Sequence, residues 1–329
     1  NSTERRSSES GVKPTKRGKR SETRKSLRRE SSLQPSECSL HPMILLELED
    51  RQWIFLATIV FAATTGLATY AALKLRRKSS RAYTLALVSF GWILQTIGLY
   101  ARGLQYGGCP LSNRFELVQF MVWSAIALYI FVGPAFRVSL LGMFTSAFAT
   151  IFSILSLSFD SWDTNTGAPL FGASPWIETH AALALFSYGT FGILALTSGM
   201  YLLQSRSLKQ KKMGGFFPFL PSLFDLTSIN LRLLSIGFLI LSSSLAIGAV
   251  YWTRETVSVD VPKLSATIAV WLAYGVLLLL RFRQFLSYKQ FSWACIGVFA
   301  AALLSLGPVD SSTSEEASLN QYITLSARR

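Results

Sequence analysis

The stretch WIFLATIVFAATTGLATYAAL, Trp53–Leu73, contains 21 residues and no charged side chain. A segment of about 20 apolar residues is what an α-helix needs to cross the hydrocarbon core of a bilayer. Because lipid offers the backbone no hydrogen-bond partner, such a segment satisfies its own amide groups by forming a helix. Trp53–Leu73 is therefore predicted to be a transmembrane helix.

Seven further segments of the chain are predominantly apolar. Only 15% of the residues are charged, against roughly a quarter in soluble domains. The sequence therefore predicts an all-α integral membrane protein, a bundle of about eight transmembrane helices, and it excludes a soluble enzyme. The predicted spans after the first are Tyr83–Tyr100, Glu116–Phe136, Val138–Leu157, Pro175–Leu203, Leu231–Val250, Leu264–Leu280 and Phe291–Leu306.

Basic residues cluster in alternate connections of this bundle. The loops after the first, third, fifth and seventh spans carry Lys and Arg, whereas the other loops and the C-terminal tail are weakly charged or acidic. Positively charged loops stay in the cytoplasm, so both termini are predicted to lie outside. The formal net charge of +14 follows from these loops and from the N-terminal segment, and it does not indicate nucleic-acid binding.

Residues 1–42 are rich in Ser, Arg, Lys and Glu and carry too few apolar residues to fold. Two interpretations are open. Either translation starts at Met43, which suits an outer N-terminus better, or the segment is a disordered basic tail on an anionic membrane surface. The remaining chain divides into two transmembrane helices over 43–106, a transmembrane domain over 107–307 and a polar tail over 308–329.

The cysteines and the polar residues offer little catalytic chemistry. The three cysteines, Cys38, Cys109 and Cys295, include no CxxC pair and no CxxCH haem-attachment motif, which argues against a thiol–disulfide or zinc role. The sequence contains no nucleophile triad, no HExxH and no phosphate-binding glycine loop. An enzymatic function is therefore not predicted.

His180 is the only histidine after residue 42. It lies inside the fifth span, where ionisable residues are rare and often functional. Ala184 and Ser187 follow on the same helical face and would leave room beside the imidazole. Two interpretations are open at this point: an axial ligand to haem iron, or a histidine that hydrogen-bonds a neighbouring helix.

Three segments in order resemble the cytochrome c assembly membrane proteins, which include CcsA, CcmC and HemX-like types. They are CPLSNRFE, Cys109–Glu116; WIETHAALALFSYG, Trp176–Gly189; and the run from LPSLFDL, Leu220–Leu226, through GFLILSSSLAIGAVYW to VDVPKLSATIAVWLAYGVLLLLR, which ends at Arg281. The resemblance covers about two thirds of the chain and marks 107–307 as the assembly-like domain.

The resemblance implies a function in cytochrome c biogenesis. Haem would be bound or handled at the outer face of the membrane and passed to apocytochrome c with a partner membrane protein. His180 matches the histidine of the family in this helix, and Trp176, Ser187 and Tyr188 are the expected haem-binding neighbours. Members of the family occur in bacterial inner membranes and in plastids, so this protein is expected to lie in a bacterial inner membrane.

Two departures from the family pattern favour its HemX-like branch. Where a tryptophan-rich loop is expected, this sequence reads TRETVSVDVPK, Thr253–Lys263, which retains Asp260, Pro262 and Lys263 but has no aromatic platform. The last two spans contain no histidine. The alternative function is therefore a HemX-like regulatory or scaffolding membrane protein that does not bind haem.

Overall fold

The structure is a computed structural model that describes residues 49–74, 81–106, 111, 113–136, 140–163, 175–210, 222–254 and 261–305. Eight α-helices and no strand occur in these ranges, which confirms the all-α prediction. The predicted segments 1–42 and 308–329 lie outside the described residues. The helices are α1 Asp50–Leu73, α2 Arg81–Tyr106, α3 Arg114–Phe136, α4 Leu141–Ser158, α5 Pro175–Lys209, α6 Leu223–Arg254, α7 Val261–Phe282 and α8 288–305.

Seven helices, α1 to α7, are long and apolar enough to cross a membrane. The eighth predicted span is also a helix, but α8 does not belong to this set. Its first turn carries Tyr288, Lys289 and Gln290, which lower its mean hydropathy. A 3₁₀ turn, Asp160–Trp162, follows α4.

The helices pack in sequence order and across the bundle. α1 lies against α2 and α4, α3 against α4 and α5, and α6 between α5 and α7. Where α3 and α5 meet, a Cβ on Gly189 would lie 2.2 Å from Ser124 Oγ and 2.7 Å from the backbone nitrogen of Ala125. Any larger residue would overlap α3 at this point, so glycine permits the close approach of the two helices. Small residues commonly have this role in contacts between transmembrane helices.

Charge separates the two ends of the bundle. One end, here called the acidic end, carries Asp50, Glu116, Asp160 and Asp163, close to the start of α5 and the end of α6. The opposite end, called the basic end, carries Arg206, Lys209, Arg281, Arg283 and Lys289. Because neighbouring helices are antiparallel, successive connections lie at opposite ends of the bundle. The alternation of basic loops in the sequence therefore becomes a charge difference between the two ends.

Candidate functional site

His180 lies near the start of α5, at the acidic end, and its half-buried side chain faces α6. Its Nδ1 atom is 2.7 Å from the backbone carbonyl oxygen of Ser244 and 3.1 Å from the hydroxyl oxygen of the same residue. The Ser244 hydroxyl in turn donates a hydrogen bond of 2.8 Å to the carbonyl oxygen of His180. Two contacts of the imidazole and one of the His180 backbone with the same buried serine therefore hold His180 against α6.

These contacts determine which ring nitrogen carries the proton. A carbonyl oxygen only accepts hydrogen bonds, so Nδ1 is the protonated nitrogen and donates to Ser244. In the neutral ring the lone pair is then on Nε2. Metal-binding histidines commonly donate their second N–H to a carbonyl in this way, which fixes the tautomer and orients the ring. His180 is thus prepared to offer Nε2 to a metal.

Gly248 makes room for the imidazole one turn beyond Ser244. A Cβ at this position would lie 2.7 Å from His180 Nδ1 and 2.8 Å from Cε1, which is too close for any side chain. The space beside Nδ1 is therefore filled by the backbone of α6. Ala184 and Ser187, which the sequence predicts to leave room beside the ring, lie on α5 itself.

Two tryptophans lie at the acidic end, one on α5 and one on α6. Each is one helical turn closer to that end than His180 or Gly248. Trp176 precedes His180 by four residues and is 53% exposed; Trp252 follows Gly248 by four residues and is 45% exposed. Residues four apart share a helical face, so both indoles continue the faces that carry His180 and Gly248. Trp53, at the start of α1, is buried by contrast.

The other two predicted site residues lie deeper in the bundle. Ser187 is buried, and its hydroxyl donates a 2.6 Å hydrogen bond to the carbonyl of Ala184. Tyr188 is also buried, 7% exposed. Both side chains are engaged within the protein, which gives them a packing role beneath His180.

A buried ionic cluster at the same end of the bundle was not predicted. Arg102 is 2% exposed and donates from Nε to Glu116 at 2.6 Å and from a terminal nitrogen to Asp50 at 2.7 Å. Its other terminal nitrogen pairs with Asp163, and its guanidinium lies 4.9 Å from the centre of the Phe115 ring. One side chain thereby joins α1, α2, α3 and the turn after α4.

Two further residues complete this cluster. Asn113 caps α3 by accepting the backbone N–H of Glu116 at 2.9 Å, and its amide donates to Asp163 at 3.2 Å. Arg51 reaches Asp160 at 2.8 Å. The prediction had ended the second span at Tyr100, but α2 continues to Tyr106, and this added length places Arg102 inside the protein.

A family model described as Cytochrome C assembly protein matches residues 111–309, more than half of the chain. The chain belongs to the cytochrome c assembly protein family. The match includes His180, Ser244 and Gly248 and confirms the resemblance drawn from the sequence motifs.

Individual relatives of this family member carry two names. Protein HemX of Brevibacillus brevis is 28% identical over 201 residues, which cover 61% of this chain and 73% of that protein. Protein HemX of Bacillus subtilis (strain 168) is 27% identical over 199 residues, 59% and 71% of the two chains. Cytochrome c biogenesis protein CcsA of Guillardia theta is 28% identical over 211 residues, 56% and 67% of the two chains. Membership and relatives together support a role in cytochrome c biogenesis.

A cytochrome c assembly protein is expected to handle haem, and His180 fits one iron ligand. A neutral imidazole with its lone pair on Nε2 is the form in which histidine binds haem iron. By contrast, the described part of the chain contains no group of three His, Cys, Asp or Glu residues that could hold a bare metal ion. The acidic side chains near Arg102 are committed to ion pairs with arginines.

Proposed function

We propose that this protein binds haem at the acidic end of its bundle during cytochrome c biogenesis, with His180 as an axial ligand through Nε2. The observation that carries the proposal is the 2.7 Å contact between Nδ1 and the Ser244 carbonyl. This contact leaves the lone pair on the nitrogen that points away from Ser244. Gly248 leaves the space that the imidazole needs to make this contact.

The surrounding residues would position the imidazole and the macrocycle. Ser244 orients the ring, and Gly248 gives it space. Trp176 and Trp252 offer exposed indole surface on which a porphyrin can stack, in place of the aromatic loop that the sequence lacks. Ser187 and Tyr188 would pack beneath the site. Bound haem would supply the redox-active iron, and the protein would act in assembly and not as an enzyme.

The test is the absorbance spectrum of the purified full-length protein during titration with haem. Wild type is expected to show a Soret band that saturates near one haem per chain. His180→Ala is expected to lose this band, while His41→Ala, which removes the other histidine of the chain, retains it. Equal spectra for the two variants would refute ligation by His180.

The acidic end is further proposed to face the outside of a bacterial inner membrane, with both termini outside. The support is the charge difference between the two ends, because positively charged ends stay in the cytoplasm. In a background without native cysteines, Asp160→Cys is expected to react with an impermeant maleimide on intact cells, and Arg283→Cys only after lysis. The opposite pattern would reverse the orientation and place the site in the cytoplasm.

Transfer of haem to apocytochrome c would require a partner membrane protein. The partner proposal rests on family membership and on the position of the site at one end of the bundle, where a second protein can reach the exposed indoles. Co-purification of the full-length protein with a cytochrome c assembly partner, lost when Trp176 and Trp252 are both replaced by Ala, would support it. Capture of the same partner by that double variant would contradict it.

A second candidate function is a HemX-like regulatory or scaffolding role without haem. It is favoured by the absence of any aromatic residue from Thr253–Lys263 and by similarity to two proteins named HemX. A wild-type protein that stays colourless after the addition of haem would support this function and would exclude the haem-binding one.

A further inference from the structure

A cavity of about 280 Å³ opens at the basic end of the bundle, far along α5 from His180. It is formed where the start of α6 meets the ends of α5 and α7 and the start of α8. Phe224 and Leu231 of α6 supply apolar walls, Tyr201 and Tyr288 supply aromatic ones, and Arg281 supplies a positive charge. Such a mixture suits a ligand with an apolar body and an anionic group.

Arg281 is the charged group of this cavity, and its charge is not neutralised there. Its guanidinium lies 3.9 Å from the centre of the Tyr288 ring and donates one hydrogen bond of 3.3 Å to the carbonyl of Leu286. Neither contact involves an acid, and in the described part of the chain no carboxylate pairs with it. This differs from Arg102 at the other end, which is bonded to three carboxylates.

The helix ends around the cavity share this excess of positive charge. Asp225 is the acidic residue nearest in sequence to the residues that line the cavity. Its carboxylate accepts a hydrogen bond of 2.6 Å from the hydroxyl of Ser222, the residue before α6. Basic residues at the same helix ends are Arg206, Lys209, Arg232, Arg283 and Lys289. Such a surface attracts anions that are held in or near the membrane.

We propose that this cavity binds the headgroup of an anionic phospholipid. The phosphate would pair with the Arg281 guanidinium, whose fork of donors matches phosphate oxygens. The Tyr201 hydroxyl, which has no partner in the described part of the chain, can donate a second hydrogen bond. An acyl chain would run along Phe224, which is 81% exposed, and this apolar wall favours a lipid over a soluble phosphate.

The test is native mass spectrometry of the delipidated full-length protein in detergent. Phosphatidylglycerol is added, and phosphatidylcholine with the same acyl chains serves as the zwitterionic comparison. Wild type is expected to retain one phosphatidylglycerol in preference to phosphatidylcholine. Arg281→Gln is expected to lower the affinity by at least about tenfold, since a charge-assisted hydrogen bond is lost.

Arg283→Gln is the matched control, because this exposed arginine lies two residues away and does not line the cavity. It is expected to bind the lipid as wild type does. Ser228→Leu fills the cavity and keeps Arg281, so it is expected to lose the lipid even where Arg281→Gln fails to fold.

Three results would overturn the proposal. Equal losses for Arg281→Gln and Arg283→Gln would indicate diffuse attraction to the charged end and no site. Equal retention of phosphatidylcholine would remove the role of the charge. Displacement of the lipid by glycerol phosphate at the concentration of the lipid itself would identify a soluble anion as the ligand.

Discussion

The ion pairs of Arg102 allow a prediction about stability. Replacement by Met keeps an unbranched side chain in the same space but removes the positive charge. The Glu116 side chain, 3% exposed, and those of Asp50 and Asp163, 15% and 12% exposed, would then lose their shared partner. Breaking a buried ion pair costs about 3–5 kcal/mol, because a charge is left buried and unpaired. We expect Arg102→Met to lower the free energy of unfolding by that amount.

Arg51→Met is the matched control within the same cluster. The Arg51 side chain is 34% exposed, its close partner Asp160 is 87% exposed, and its contact with Asp163 is longer, at 3.8 Å, so water screens the charge of Arg51. Exposed ion pairs contribute about 0–1 kcal/mol, and the control should change stability by no more than that. Unfolding by denaturant in detergent micelles, followed by the helical circular dichroism signal, compares both variants with wild type.

A double change separates the ion pairs of Arg102 from its packing. In the double variant Arg102→Met/Glu116→Gln, an amide replaces the most deeply buried carboxylate. The double variant should therefore be more stable than Arg102→Met alone. Coupling energies of contacting residues are typically about 0.5–3 kcal/mol. The reasoning is refuted if Arg102→Met is no more destabilising than Arg51→Met, or if the double variant shows no coupling.

Two further predictions concern glycines in helix contacts. Gly189→Ala should destabilise the protein by about 1–3 kcal/mol, since its Cβ would overlap Ser124, whereas Gly199→Ala, with nothing within 4 Å of the new Cβ, should be neutral or slightly stabilising in the same unfolding assay; equal effects would contradict the packing. Gly248→Ala should push the imidazole of His180 out of place and weaken haem binding in a spectroscopic titration. Unchanged haem affinity would show that the ring position does not matter.

The helices were predictable from the sequence because each depends on a local property. A run of about 20 predominantly apolar residues has few alternatives to a transmembrane helix, and all eight predicted runs form helices. The first and last residues of the helices were predicted less accurately. α2 extends six residues beyond the predicted Tyr100, and α6 begins at Leu223, eight residues before the predicted Leu231. Polar residues at helix ends carry no hydropathy signal, so a prediction based on hydropathy ends too early.

The functional residues were predictable only in part, because their partners come from distant positions. His180 stood out as a lone histidine in an apolar span. Ser244 and Gly248 are 64 and 68 residues away, and nothing in their spacing marks them as its contacts. Arg102 was missed for the same reason, since its acidic partners converge only when α1, α3 and α4 pack. One feature could have identified it: Arg102 closely follows a predicted span, at the end of the bundle where several acidic residues are predicted.

Chemical rescue of His180→Gly with imidazole tests the claim that His180 binds haem iron. Removal of the side chain leaves a space between α5 and the backbone of α6, next to the Ser244 carbonyl that accepts the Nδ1 proton. If Nε2 of His180 binds haem iron, the variant should lack the Soret band of a histidine-ligated haem and regain it when imidazole is added. A wild-type spectrum without imidazole, or no response of the variant to imidazole, would contradict the claim.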